Sequence, residues 1–403
     1  MSSTLEHDPR VIEQRAGLAG AIADYRRRIA SGDIGQLPVI VGLVLIGAIF
    51  EYFSHGVFLS PFNLVNLTLQ MAAGGTIAVG LVLILLLGEI DLAAGLTSGL
   101  GAAVMAVATT QWGLPAPAGV AVGLVCGAAV GAIQGGWLTR FTVPSFIVTL
   151  AGMSIWGGAA LLVLGKTGTI NLTDPFIVGI ANTFFTGWQA YAWAALLLGY
   201  VVAGPLRERA RRRAAGLTVP PAAGLTVRAV AVGAVVLGIV TILDADRGVS
   251  LGLVLLVGVV VGMDFLLRRT RFGRQVYAVG GNAEAARRAG ISVPRIRLAV
   301  FTLAALFASL GGILGASRLF AVNQSAGRGT ELLNAIAAAV IGGTSLFGGR
   351  GSILGTLFGA LIVGVFRNGL SLAGYDVLYQ TLVVGILVIL AVAVDQWIRK
   401  VRV

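Results

Sequence analysis

Residues 76–87 read TIAVGLVLILLL, and residues 88–95 directly after them read GEIDLAAG. The first stretch is apolar after its opening threonine, and with its upstream flank (63–87) it reaches the ~20 residues that cross a hydrocarbon core as helix. Two acids then stand where such a helix would leave the membrane. The same pattern of long apolar run and short polar break recurs along the chain, at 40–50, 120–133, 230–243, 251–261, 298–314 and 378–394. The runs and their flanks predict spans near 37–54, 63–87, 92–111, 115–138, 143–165, 188–204, 229–243, 249–267, 298–317, 332–347, 352–370 and 379–396. Two of these are atypical: 229–243 is short, and 332–347 ends in a Gly-rich break. The fold class expected is an all-α polytopic bundle of about 12 spans with broken Gly-rich helices. The 58 glycines fit that class, since small residues let helix backbones approach closely in lipid.

Charge distribution supplies orientation. The chain carries a net charge of +12 and 29 Lys and Arg residues. With the N-terminus inside, 24 of the 29 fall on inner segments, leaving Lys166, Arg247, Arg318, Arg328 and Arg367 outside. That asymmetry follows the positive-inside rule with both termini cytoplasmic, and it explains the basic balance without nucleic acid. Residues 1–36 are polar and Arg-bearing, without the apolar core of a signal peptide, and read as a cytoplasmic tail. Residues 37–403 form the transmembrane domain, with inner loops at 205–228 and 268–297. The first of these loops combines an Arg cluster with Pro220 and Pro221, a composition suited to anionic lipid.

Catalytic chemistry finds little to work with. The two histidines, His7 and His55, lie in the tail and at an outer edge, so neither a His-based metal site nor a His triad can be assembled. Cys126 is the single cysteine, in an apolar span, so no disulfide framework or Cys-based metal site is available. LGKT at 164–167 lacks a phosphate loop's upstream glycine, whose place is taken by Ala160. The chain is expected to be no enzyme and to bind no cofactor or metal.

Polar groups near or inside spans are the remaining candidates. Ionisable groups are costly there, so Glu89 and Asp91 are candidates for a translocation pathway or gate. Asp91 could equally N-cap a helix starting at Leu92. Neutral polar residues, Gln70, Thr76, Thr97, Ser98, Asn334, Thr344, Ser345, Asn368 and Ser371, suit a hydroxyl-rich cargo, and suit inter-helix hydrogen bonding as well. The stretch around GEIDLAAG also resembles AAAVIGGTSLFGGRGSILG, an echo that either a repeat or shared Gly-rich composition would produce.

Residues 280–290, GGNAEAARRAG, are soluble in character inside an oily chain. Asn282 is a good N-cap, Glu284 falls in the first turn, Arg287 and Arg288 in the last, and Gly290 is placed as the residue past the C-cap. Every signal predicts a helix from Asn282 to Ala289. So short a helix is marginal in water, which points to a knob held between two spans and offered to a cytosolic partner.

FGRQVYAVGGNAEAARRAGISVPRIRLAVF resembles the cytoplasmic loop of sugar permeases of ATP-binding-cassette importers, the branch of the ribose, galactose, arabinose and xylose systems. GEIDLAAG, VPSFIVTLAGM and AIAAAVIGGTSLFGGRGS resemble three further signatures of that branch, and the likeness runs from about Phe62 to Asp395. The extra inner loop LRERARRRAAGL with its added span pair is similar to a feature of the xylose systems. The resemblance implies import of a monosaccharide, a pentose and xylose first, across a bacterial inner membrane. It implies a pore of two permease copies, a periplasmic sugar-binding protein, and a cytosolic ATPase that uses ATP and Mg and docks on the short helix. Gly281, Asn282, Glu284, Ala285, Ala286, Arg287, Arg288 and Gly290 would form that coupling site, with Gln70, Glu89, Asp91, Asn334, Thr344, Ser345 and Asn368 as pathway or gating residues. Ala93 and Ala94, Asn334 and Arg367 depart from the branch's usual residues. A branched-chain amino-acid permease of the same importer type and an ion-coupled secondary transporter are the alternatives.

Overall fold

The computed structural model describes residues 37–165, 168–217, 219 and 222–401. The tail 1–36, Lys166 and Thr167, and Pro220 and Pro221 lie outside the described residues, as does His7. Fifteen helices are present among those described: α1 (Leu37–Phe53), α2 (Pro61–Leu86), α3 (Ala94–Thr110), α4 (Ala116–Phe141), α5 (Ser145–Leu164), α6 (Pro175–Asn182), α7 (Trp188–Ala214), α8 (Ala222–Asp244), α9 (Leu251–Arg269), α10 (Arg271–Gly281), α11 (Ala283–Arg288), α12 (Val293–Leu319), α13 (Glu331–Ile341), α14 (Ile353–Leu372) and α15 (Val377–Val401). Four short strands, β1 (Thr169–Asn171), β2 (Phe184–Phe185), β3 (Val249–Ser250) and β4 (Ala321–Asn323), complete the inventory.

Eight helices are long and apolar enough to cross a membrane, namely α2, α4, α5, α7, α8, α9, α12 and α14. The other four expected spans coincide with shorter apolar stretches, Gly42–Phe53, Ala94–Thr110, Glu331–Ile341 and Val377–Leu390. The chain is thus an all-α polytopic membrane protein. Two boundaries are corrected. The span expected at 229–243 is 23 residues long and begins at Ala222; α7 likewise continues through the Arg cluster to Ala214. Residues 205–214 and 222–228 of the expected inner loop 205–228 are therefore helical. Conversely, α13 is only 11 residues, about 16 Å at 1.5 Å per residue, half of a hydrocarbon core. A Gly-rich loop, 342–352, continues its path.

The chain divides into two compact units. One comprises residues 186–245 with the described residues up to 44. In it α7 packs on α8, and the Asp244 carboxylate accepts from the Gly187 amide at 2.7 Å. The other comprises 45–185 and 246–403, with α2 and α12 at its core. In α2, 83% of the most apolar 18-residue window is buried by protein, so this helix packs mainly against other helices.

Glycine sets the packing of the larger unit. Along α4, Gly119, Gly123, Gly127, Gly131 and Gly135 recur every fourth residue and so lie on one face. A Cβ at Gly131 would strike the Phe301 carbonyl, one at Gly127 would lie 2.8 Å from the Ala305 carbonyl, and one at Gly123 would lie 2.7 Å from the Gly101 carbonyl. This stripe seats α4 against α12 and α3, backbone on backbone, as small-residue stripes do where lipid is the solvent. Ser309 adds a hydroxyl donated to the Gly123 carbonyl at 2.8 Å.

At one end of this unit β1 pairs antiparallel with β4, Ile170 opposite Val322, and β2 pairs with β3. Helix α6 is pinned there by Ser317, whose hydroxyl accepts from the Ala181 amide and donates to the Val178 carbonyl, both at 2.9 Å.

Candidate functional junction and groove

The loop 87–93 after α2 is the centre on which separate parts of the chain converge. The last carbonyl of α2, Leu86, accepts from the Gly349 amide at 2.9 Å, which joins it to the loop 342–352. The backbone of Gly280, at the end of α10, lies directly against the same carbonyl, so close that a Cβ there would collide with it. The Ile90 amide donates to the Ser145 hydroxyl at 3.1 Å, and Thr149 donates to the Ile90 carbonyl at 3.3 Å, which joins α5. Finally, Arg297 Nη2 lies 2.7 Å from Glu89 Oε1. GEIDLAAG, VPSFIVTLAGM, the loop around GGNAEAARRAG and IGGTSLFGGRGS are remote in sequence and meet here.

Close approach explains the glycines. Gly88, Gly348 and Gly349 have φ of 75°, 81° and 71°, in the left-handed region that side chains rarely adopt. Gly348 also packs on the Gly280 carbonyl and the Gly88 backbone. The two Gly-rich breaks that echo one another in sequence are thus in direct contact. Their flanking helices differ in length, 26 and 17 residues against 11 and 20.

Each acid of the loop has a structural partner. Asp91 is only 3% exposed, and its Oδ1 accepts from the Ala93 amide at 2.8 Å. It closes a turn before α3 and does not cap a helix at Leu92, because α3 begins at Ala94 with Ala93 at the N-cap. Burial pushes the Asp91 carboxyl up to about 6, against the opposing hydrogen bonds of the Ala93 and Ala94 amides. Glu89 is partly buried and spent on Arg297, a residue that the sequence reading counted only as an inner charge.

The short helix is as its caps predict. In α11 the Asn282 side chain accepts from the Ala285 amide at 2.9 Å. Gly290, at φ 81°, donates to the Arg287 carbonyl at 3.0 Å and Ile291 to the Ala286 carbonyl at 3.0 Å, the paired bonds of a Schellman ending. Glu284 pairs with Arg287 at 2.8 Å and Arg288 at 3.3 Å. Ala286 is buried, while Gly281, Asn282, Glu284, Ala285, Arg287, Arg288 and Gly290 are exposed. Sequence reading missed α10 before it, an amphipathic helix that buries Val276 and Val279 and is capped by the Thr270 hydroxyl on the Gly273 amide at 3.3 Å. Phe272, Val276 and Val279, at helical spacing, were the available signal.

The remaining polar candidates are dispersed. Gln70 and Asn334 line one groove with Arg367, between α2, α13 and α14. Its volume of about 30 Å³ admits roughly one water and not a sugar, so the groove is nearly shut. Asn334 is 4% exposed, and its Oδ1 has no hydrogen-bond partner. Asn368 is not in this groove. It exchanges amide hydrogen bonds with Asn63 at 2.8 and 2.9 Å, both residues buried, and joins α14 to α2. Thr344 and Ser345 lie in the loop 342–352, where the Ser345 hydroxyl accepts from the Phe347 amide at 3.1 Å. Thr76 and Ser98 bond to carbonyls of their own helices, Ala72 at 2.8 Å and Gly95 at 2.6 Å. Among the described residues no cluster of His, Cys, Asp and Glu could hold a metal.

Comparison with known proteins places the chain in a family. Residues 63–392 match the family model described as branched-chain amino acid transport system, permease component. The xylose transport system permease protein of Escherichia coli strain K12 is 39% identical over 372 residues, 92% of this chain and 94% of that protein. The fructose import permease protein of Rhizobium meliloti is 35% identical, covering 91% of this chain and 86% of its own length. For the ribose import permease protein of E. coli strain K12 the figures are 34%, 92% and 96%. No solved structure matches.

Proposed function

The chain belongs to the family of permease components of branched-chain amino acid transport systems, and from that premise we propose that it is the membrane subunit of an ATP-driven importer of a monosaccharide, xylose or another pentose. The observation that carries this reading is the junction at the foot of α2. An exposed, sharply capped helix of six residues is fixed there to the ends of spanning helices. That is the construction needed to receive force from a cytosolic partner, and this reading makes the partner an ATPase that uses ATP and Mg. The likeness to xylose, fructose and ribose permeases supports sugar over amino acid as cargo.

In this reading the protein sits in a bacterial inner membrane with twelve spans, both termini cytoplasmic, and α11 inside. Residues 1–36 are a cytoplasmic tail and 37–403 the permease domain. Two copies form the pore, and a periplasmic sugar-binding protein delivers cargo at the end that carries β1 and β4. Residues 281–290 dock the ATPase. The groove of Gln70, Asn334 and Arg367 is part of the path; its amides and guanidinium offer hydrogen bonds to sugar hydroxyls, and its small volume corresponds to a closed state. Glu89, Asp91, Thr344 and Ser345 act at the gate through the junction, while Asn368 holds α14 to α2. To move a gate from 1:99 to 99:1 the partners must favour one state by about 5.5 kcal/mol.

Uptake of labelled xylose by membranes carrying the permease, its ATPase and its binding protein tests the reading, with ribose, arabinose and leucine as competitors. ATP-dependent uptake that unlabelled pentose suppresses and leucine does not is the expected result. Suppression by leucine alone would transfer the assignment to amino acids, and uptake without the ATPase would make the chain a secondary transporter.

A further inference from the structure

We propose that the Glu89–Arg297 ion pair is the link through which the helix α11 pulls on the foot of α2, so that both are positioning residues for transport. The inference rests on the reading of α11 as the docking helix.

Helix α11 is a bridge with both ends anchored at one place. Upstream, α10 ends with the Gly280 backbone against the Leu86 carbonyl. Downstream, Arg297 stands on the fifth residue of α12 and reaches Glu89, three residues beyond Leu86. The two anchorages differ in kind. The Gly280 contact is one of atoms in van der Waals contact, stiff against compression and weak against separation. The ion pair, at 2.7 Å, holds in both directions. Among the described residues it is the direct polar bond between residues 271–297 and residues 86–93. The other route runs indirectly, from the Tyr277 hydroxyl to the Gly351 carbonyl at 3.0 Å and from the Gly349 amide to Leu86. A push on α11 therefore reaches α2 through Gly280, and a pull reaches it through Arg297 and Glu89.

Placement argues against a role confined to the helix ends. Glu89 follows the carbonyl end of α2, and Arg297 lies near the amide end of α12, in each case the end whose dipole disfavours that charge. Nor is it a solvated surface pair, since the Glu89 and Arg297 side chains are 12% and 28% exposed. A pair at this depth is weakly screened, and removing one partner strands the other.

The test uses the permease assembled with its ATPase and binding protein in liposomes. It compares Glu89→Gln, Arg297→Gln, Arg297→Lys and the exchanged pair Glu89→Arg with Arg297→Glu. Two quantities are read: pentose imported per ATP hydrolysed, and the ATP-induced change in distance between nitroxides at Gln111 and Leu319, the far ends of α3 and α12, in a Cys126→Ala background. Both Gln variants are expected to assemble and hydrolyse ATP while import per ATP falls at least tenfold and the distance change disappears. The exchanged pair is expected to recover both to within twofold. Wild-type stoichiometry and distance change in the Gln variants would overturn the proposal, as would an exchanged pair that melts like wild type and recovers neither. Should the exchanged pair not assemble, Arg297→Lys decides: retained coupling supports the link, and a loss equal to Arg297→Gln removes it. A wild-type assembly that shows the distance change but imports none of the pentoses would refute the sugar reading alone, since the distance still tests the link.

Discussion

Asp91 shows how a residue's environment converts into a measurable pH dependence. Its carboxyl is raised from 3.8 to about 6 by burial, so the folded protein binds more protons than the unfolded chain between those values. The stability it contributes is present below pH 3.8 and is lost as pH rises through about 6. At neutral pH the buried carboxylate opposes folding, by about 3 kcal/mol at most from 1.36 kcal/mol per pKa unit. Asp91→Asn keeps an oxygen to accept from the Ala93 amide and removes the charge. Thermal melting in detergent at pH 7.5 should rise by a few degrees, and the slope of melting temperature between pH 4 and 6 should flatten. Asp91→Ala, which also loses the turn, should melt below Asp91→Asn. Equal melting of both variants would show that the hydrogen bond to Ala93 has no weight. The sequence showed that two acids beside a span were costly, and it offered capping for one. It could not show that Glu89 is neutralised by Arg297, because that pairing depends on how α12 packs on α2, which local spacing does not encode.

Elements were legible where local chemistry defines them. The caps of α11 were readable residue by residue, since an N-cap, a first-turn acid and a positive-φ glycine each act within one turn. Gly290→Pro removes the amide that bonds to the Arg287 carbonyl and cannot adopt φ 81°. Glu284→Arg removes both ion pairs of the helix and places a cation at its amide end. Both variants should insert normally and lose at least tenfold in ATP-driven uptake, measured beside ATPase binding to the membranes; normal uptake by both would remove α11 from the docking role. In α4 the stripe makes a sharper contrast. Gly131→Ala drives a methyl into the Phe301 carbonyl, whereas the site of Gly136, five residues on, has nothing within 4 Å. The first should cost about 1–3 kcal/mol and the second almost nothing in melting experiments. The spacing of these glycines stands in the sequence, but the backbones they meet, those of Gly101, Phe301 and Ala305, depend on packing that local spacing does not encode. Truncating α7 and α8 has one cause: polar and charged residues interrupt the hydropathy of helices whose backbone bonds continue, whereas α10 is a separate amphipathic helix, capped anew at Thr270, that no apolar run marks.

For the whole molecule, the sorting of basic residues makes a claim about sidedness that helix lengths cannot make. The β1–β4 pair and α6 cluster at the far ends of α5 and α12, and α11 with the junction lies at their near ends, where α5 and α12 start. Since α12 is 27 residues, about 40 Å at 1.5 Å per residue, the two sites are a membrane's thickness apart and cannot share a side. The proposed orientation rests on Arg268, Arg269, Arg271, Arg274, Arg287 and Arg288 near the junction, against Arg318 and Arg328 at the other end. In a Cys126→Ala background, Ala285→Cys should react with a membrane-impermeant maleimide in inside-out vesicles and not in intact cells, and Thr169→Cys the reverse. Labelling of both from one side would break the two-ended arrangement. Labelling of each from the side opposite to that expected would keep the fold and invert its direction, placing α11 where no cytosolic ATPase could reach it.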